Sequence, residues 1–91
     1  MNEPAIDLAI VMALISSYKN HPIDEKTIVF GEVGLSGEVR AVSMPEQRIS
    51  EAKKLGFETC IIPEVSKDMV KGIQGIRIIG VKNIHDAMQL L

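Results

Sequence analysis

Residues 27–55 read TIVFGEVGLSGEVRAVSMPEQRISEAKKL, and the order of signals in this stretch decides the fold. Thr27 to Val33 is rich in β-branched and apolar residues and reads as a strand. The GLSG at 34–37 reads as a turn, with Gly34 and Gly37 expected to take the positive φ angles that other side chains avoid. Glu38 to Val42 then reads as a second strand pairing back on the first. Pro45 opens a helix, because a missing N–H is harmless in a first turn. Ile49, Ala52 and Leu55 fall on the inner stripe of that helix, Arg48, Lys53 and Lys54 decorate its outer face, and Gly56 supplies the stop.

Downstream, Glu58 to Ile62 forms a short strand closed by Pro63, Ser66 to Lys71 a short helix or turn, and Ile76 to Gly80 another strand. Asn83 caps a last helix to Leu91, with Ile84, Ala87, Met88 and Leu91 at helical spacing. Strand and helix therefore alternate from Glu38 onward, which implies right-handed crossovers and a parallel portion of sheet. Upstream, Asn2 as cap, Glu3 in the first turn and Pro4 mark the start of a helix running to about Lys19. Ile6, Ile10, Ala13, Leu14 and Ser17 form one stripe, and Leu8, Val11, Met12 and Ile15 fill much of the rest. A helix apolar nearly all round is expected to be buried. Asn20, His21 and Pro22 end it, because Pro22 disfavours the helical region for the residue before it.

The chain has 91 residues, 46% hydrophobic and only 3% aromatic, so one core of aliphatic side chains is expected, of the kind that packs helices on a sheet. So few rings do not suit a base-stacking platform. A formal net charge of -2 gives no global attraction to nucleic acid or anionic lipid, and any such contact needs a local basic patch. The single cysteine, Cys60, excludes an internal disulfide and suits a reducing compartment; alternating with apolar neighbours in a strand, it reads as a small buried hydrophobe. The apolar run from Ala5 to Ile15 is interrupted by Asp7 and falls well short of the roughly 20 residues a membrane span needs.

Motifs for chemistry are sparse. Ser16, Ser17, Ser36, Ser43, Ser50 and Ser66 lie outside any Gly-x-Ser-x-Gly elbow, so helix-face and turn roles are expected for them. His21 and His85 have no Cys, Asp or Glu partner at metal-ligand spacing. Gly31, Gly34, Gly37 and Gly56 do not form a Walker A loop and are assigned to backbone geometry. Arg40, Arg48, Lys53, Lys54, Lys67 and Lys71 are the candidates for a polyanion patch, set against the plainer reading of a solvated face in which Glu46 and Glu51 dilute the lysines.

The segments EPAIDLAIVMALISSY (3–18), VFGEVGLSGEVRAVSMPEQRISEAKKLGF (29–57) and IIGVKNIHDAMQLL (78–91) resemble the C-terminal, Lon-protease-like domain of the RadA/Sms family of bacterial DNA repair and recombination proteins, from Asn2 to Leu91. The resemblance implies an α/β (α+β) fold like the Lon proteolytic domain and the second domain of ribosomal protein S5, with a mixed sheet and flanking helices. In Lon peptidases the nucleophile sits in Gly-Pro-Ser-Ala-Gly and the catalytic lysine shortly after a Gly-x-Val strand. With Gly31-Glu32 and Gly37-x-Val39 as anchors, and Asn20 to Pro22 opposite the family's Gly-Asn-Pro turn, the nucleophile position falls on Ala5 and the lysine position on Glu46. A Ser-Lys dyad needs a hydroxyl to attack and a neutral amine to take its proton. Alanine offers no nucleophile, and the glutamate has nothing beside it to activate.

The resemblance therefore implies a non-enzymatic domain, with self-association into a ring and DNA contact as its roles. Arg40, Arg48, Lys53 and Lys54 are the DNA-binding candidates. In the family a zinc finger and a RecA-like ATPase precede this domain, so zinc, ATP and magnesium are expected there, and no cofactor or metal here. The chain is expected to be one Lon-like domain, 1–91, excised from a longer cytoplasmic protein. The rival readings are a Lon-class serine peptidase with atypical or residual activity, and a scaffold that self-associates without touching DNA.

Overall fold

The computed structural model describes residues 4–91. A 3₁₀ turn at Pro4–Ile6 leads into α1 (Asp7–Lys19), followed by β1 (Thr27–Val29), β2 (Glu32–Val33), β3 (Val39–Arg40), α2 (Pro45–Lys54) and β4 (Thr59–Pro63). A 3₁₀ helix at Glu64–Val70, β5 (Arg77–Val81) and α3 (Ile84–Met88) complete the order. β1, β4 and β5 make a three-stranded parallel sheet with β4 in the middle, while β2 and β3 form a separate antiparallel hairpin. The α/β class read from the sequence is the observed one.

The period of two along β4 divides the core. Ile61 faces one side, in a cluster with Leu8 and Met12 of α1, Val29, Val39, Val81 and Ala87 of α3. Cys60 and Ile62 face the other, with Ile49 of α2 and Val70 of the 3₁₀ helix. The result is three layers, with α1 and α3 over one face of the sheet and α2 with the 3₁₀ helix over the other. Each fully buried side chain such as Leu8, Ile49 or Ile62 contributes about 1.5–3 kcal/mol relative to leaving it exposed. Cys60 behaves as the sequence suggested: it is fully buried, and loss of hydration pushes its thiol up to about 12.

The expected strand Thr27 to Val33 is two strands. At Phe30 the chain still pairs with the sheet, its N–H donating to Ile61 O, but at Gly31 it turns to the start of α1, donating to Ala5 O. For the same reason β3 does not enter the parallel sheet: it stays with β2, and β4 takes β1 as its parallel neighbour. The crossover from β1 to β4 therefore contains the whole hairpin and α2. Between β4 and β5 the expected short helix is a 3₁₀ helix that begins directly at Glu64.

α1 departs most from expectation. Its inner face is Leu8, Met12 and Ser16, and the opposite stripe points to solvent, with Ile10 at 51%, Leu14 at 67% and Tyr18 at 92% exposure. A three-stranded sheet covers only one stripe of a helix, so the remaining apolar residues have nothing to pack on. Asn20 ends α1 in the left-handed region, with φ 58°, and its N–H bonds back to Ser16 O and Ser17 O, so the stop comes two residues before Pro22. The Asn2 cap lies outside the described residues. Leu55 is exposed beyond the end of α2, leaving Pro45, Ile49 and Ala52 as its buried stripe.

Asn83 caps α3 as read, its side chain accepting from Asp86 N at 2.8 Å while Asp86 Oδ2 accepts from Lys82 N at 3.0 Å. The helix itself closes at Met88, short of Leu91. In the hairpin turn only Gly37 has a positive φ, +81°. Gly34 is small for another reason: a β-carbon there would run into the Glu38 carboxylate. Gly37→Val is accordingly expected to cost more than about 1 kcal/mol, since a β-branched residue is a steric outlier at that φ. Urea denaturation measures it, and an unchanged midpoint would contradict the assignment.

Candidate nucleic-acid interface

The four candidate cations divide between two elements. Arg40 lies on β3 and is neutralised there: Nε and Nη2 donate to Glu38 Oε2 at 3.2 and 3.0 Å, and Nη1 lies 3.8 Å from Glu32 Oε1. β2–β3 pairing sets Glu32 opposite Arg40, so the register itself brings these charges together. Glu38 is held below the usual carboxylate range, first by its own backbone N–H and then by Arg40. Ser36 N also donates to it, at 3.0 Å. Arg40 is thus committed to the hairpin.

Arg48, Lys53 and Lys54 share α2 but not a face. Five residues at 3.6 per turn separate Arg48 from Lys53 by roughly 140°, and six separate it from Lys54 by roughly 120°. Arg48 is half-buried, which corrects its expected place on the outer face. Its Nε donates to Ser43 O at 2.7 Å and Nη2 to Ser43 Oγ at 3.2 Å, and its guanidinium sits 5.7 Å from the centre of the Phe30 ring. Arg48 thereby ties the start of α2 to the end of β1. Lys53 and Lys54 are exposed and carry no hydrogen bond or ion pair among the described residues. Lys53 leans toward the loop before β5, where a β-carbon on Gly75 would lie 2.7 Å from its Cε.

Ala5 and Glu46, the positions set against a Lon-type dyad in the sequence, lie in different surroundings. Ala5 is buried in the 3₁₀ turn, its carbonyl accepting from Gly31 N at 2.8 Å. Glu46 is exposed in the first turn of α2 and makes no hydrogen bond or ion pair among the described residues. No group of three or more His, Cys, Asp or Glu among those residues is placed to hold a metal ion. Ser16 Oγ donates to His21 O and serves the end of α1. No helix among the described residues is long and apolar enough to cross a membrane.

A family model described as Subunit ChlI of Mg-chelatase matches residues 2–66. The chain belongs to that family. Its relatives include proteins named DNA repair protein RadA: that of Bacillus subtilis is 48% identical over 89 residues, covering 98% of this chain, and that of Aquifex aeolicus 43% over 91 residues, covering 100%. The Escherichia coli protein of the same name is 41% identical over 90 residues and 99% of the chain. The chain spans only about a fifth of the length of these relatives, 19%, 20% and 19% respectively. The family read from residues 3–18, 29–57 and 78–91 is therefore the one that the comparisons return: a RadA-type domain.

A side chain cluster that sequence reasoning missed lies on the α2 side of the sheet. Val70, Ile73, Ile76 and Ile78 line an open cleft of about 300 Å³, with Lys67 and Lys71 at its rim. The lysines were visible in the sequence, but of the isoleucines beside them only Ile76 and Ile78 were read at all, as part of a strand.

The hairpin charges give a pH dependence. Because the folded state lowers the pKa of Glu38, its stabilising contribution is present above the ordinary carboxylate value and is lost as pH falls through the lowered folded one. Glu38→Gln is expected to be less stable than the parent at neutral pH, with the gap closing in acid. Urea midpoints across an acid titration measure the effect; a gap that stays constant would show that Arg40 and the turn amides do not discriminate the charged form.

Proposed function

We propose that the chain is a non-catalytic, Lon-like domain of a RadA-type DNA repair and recombination protein, serving to assemble copies and to contact DNA. The observation that carries the reading is the combination of RadA-named relatives across the whole chain with Ala5 and Glu46 at the two dyad positions. The peptidase alternative needs a hydroxyl nucleophile that Ala5 lacks and an amine base that Glu46 lacks. The ATP, magnesium and zinc chemistry of such a protein belongs to modules outside these 91 residues.

Assembly has a surface suited to it. Ile6 at the end of the 3₁₀ turn and Ile10, Leu14 and Tyr18 of α1 recur every four residues on the solvent side, which is the spacing of a helix that packs on another. A second copy is the occupant this reading assigns to the stripe. Leu14→Glu is expected to lower the solution mass at concentrations where the parent associates, while the thermal midpoint stays close to the parent's because Leu14 touches no core cluster. Sedimentation at several concentrations tests it, and an unchanged association would remove α1 from the interface.

Of the four candidate cations, Lys53 and Lys54 are the ones this reading assigns to DNA contact, since both are exposed and make no ion pair among the described residues. Contacts of Lys53 and Lys54 with phosphate are independent of sequence and release counterions, so affinity falls steeply with salt. A domain of net charge -2 offers few such contacts, and binding is expected to be weak, visible at low salt and strengthened when several copies sit together. Lys53→Glu with Lys54→Glu is expected to abolish it with little effect on stability, since exposed charges contribute little to folding. Equal binding by the double variant across a salt titration would leave the scaffold reading in its place.

A further inference from the structure

The cleft beside β5 joins three features that the reading above leaves unused. Its floor is aliphatic, made by Val70, Ile73, Ile76 and Ile78, with a volume of about 300 Å³. β5 is an edge strand: it pairs with β4 on one side only. Arg77 N–H donates inward to Glu58 O, so the alternation of a parallel strand turns the backbone groups of Ile78 and Gly80 outward, and those groups have no partner among the described residues. The free edge closes only at Lys82, whose carbonyl accepts from Val39 N at 2.9 Å. Lys67 and Lys71 stand at the rim. Lys67 has no carboxylate partner among the described residues, and Lys71 has only an exposed Asp68 at 3.2 Å, a pairing of little energetic worth.

We propose that this cleft docks an extended, acidic peptide segment, which adds as a strand to β5, sets an aliphatic side chain among Val70, Ile73, Ile76 and Ile78, and meets Lys67 and Lys71 with its carboxylates. An extended backbone supplies donors and acceptors repeated at strand spacing for those that Ile78 and Gly80 turn outward; a lipid chain has none, and a single base does not repeat them along the edge. Its side chains alternate, so one that enters the cleft has neighbours pointing away from it. The cleft lining contains no aromatic ring for a base to stack on, which sets it apart from single-strand nucleic-acid grooves. The charge of the guest follows from the rim. It also has a direction: the Glu64 side chain lies over Gly80, so the carboxylates of the guest belong at the opposite end, toward Lys67 and Lys71. Neither Lys53 nor Lys54 lines the cleft, so the Lys67 and Lys71 reversal tests this site separately from the DNA reading.

The test uses the 91-residue chain and a short fluorescein-labelled peptide that alternates glutamate with leucine. Fluorescence anisotropy is expected to show saturable binding, weakened tenfold or more by Lys67→Glu with Lys71→Glu, and amide exchange is expected to slow at Ile78 and Gly80 when peptide is present. The same peptide methylated at its backbone nitrogens is expected not to bind; this arm leaves the protein untouched and isolates the strand addition. Thermal melting checks that the double variant is folded. No binding of the parent peptide, equal affinity of the methylated one, or indifference to the charge reversal would each overturn the proposal. So would duplex or single-stranded DNA that displaces the peptide and is itself weakened by the Lys67 and Lys71 reversal, because that result assigns the cleft to nucleic acid.

Discussion

Gly31 exchanges two backbone hydrogen bonds with the segment that opens α1, donating to Ala5 O at 2.8 Å and accepting from Leu8 N at 2.9 Å. The contact demands that nothing project from Gly31, since a β-carbon there would meet Leu8 Cδ2 and Val39 Cγ1 at 3.0 Å. Around this one residue the chain leaves the parallel sheet, α1 is pinned over it, and the hairpin is launched toward β3. Val39 then lies in the same cluster as Leu8, and its N–H reaches Lys82 O, which ties the hairpin to the far edge of the sheet. Three elements that never share a regular ladder are thus held by a short run of backbone bonds and one close approach. A side chain at Gly31 would have to displace Leu8 or Val39, both buried, so the cost would fall on the core rather than on the loop.

A sheet of three strands cannot cover two faces of a helix and also seal both of its edges. On one side, α1 gives Leu8 and Met12 to the core and keeps an apolar stripe in water. On the other, α2 and the 3₁₀ helix cover Cys60 and Ile62 but leave the isoleucines near β5 only half-buried. This exposed apolar surface is concentrated on two elements rather than scattered, which is why both are assigned partners in the readings proposed above. The charges follow a similar division: the cation of the hairpin is neutralised by Glu32 and Glu38, whereas Lys53, Lys54 and Lys67 remain without partners among the described residues.

Elements whose signals are local were legible in the sequence. The turn at Gly37, the proline start of α2, the short strand around Cys60 and the Asn83 cap each depend on residues within a few positions of one another. What the sequence did not disclose depends on the third dimension. In α1 the apolar residues surround the helix, so periodicity gives no phase, and which stripe is buried is settled by the width of a sheet formed elsewhere. The partner of β4 is likewise a matter of where Gly31 sends the chain. Of the candidate site, Lys53 and Lys54 were correctly read as surface cations. Arg40 and Arg48 are held by Glu38, by Glu32 and by Ser43 with Phe30, partners whose approach depends on strand register and on the path between β1 and α2. The β5 cleft had no sequence signal, because Ile73, Ile76 and Ile78 look the same in a sequence whether a core closes over them or not.

The two uncovered surfaces lie on opposite faces of the sheet, and β4 stands between them. Ile61 supports α1 and Cys60 and Ile62 support α2 and the 3₁₀ helix, from alternate positions on one strand. Occupation of the α1 stripe by a second copy would therefore leave the β5 edge and the lysines beside it accessible, and a strand added to β5 would lengthen the sheet without touching α1. The electrostatics are consistent with such a division of labour. An aliphatic stripe associates without strong dependence on salt, whereas contacts made through Lys67 and Lys71, or through Lys53 and Lys54, weaken as salt screens them. Raising the ionic strength thus separates the surfaces experimentally: it strips the polyanion and acidic contacts from the α2 side while leaving apolar association through α1 in place.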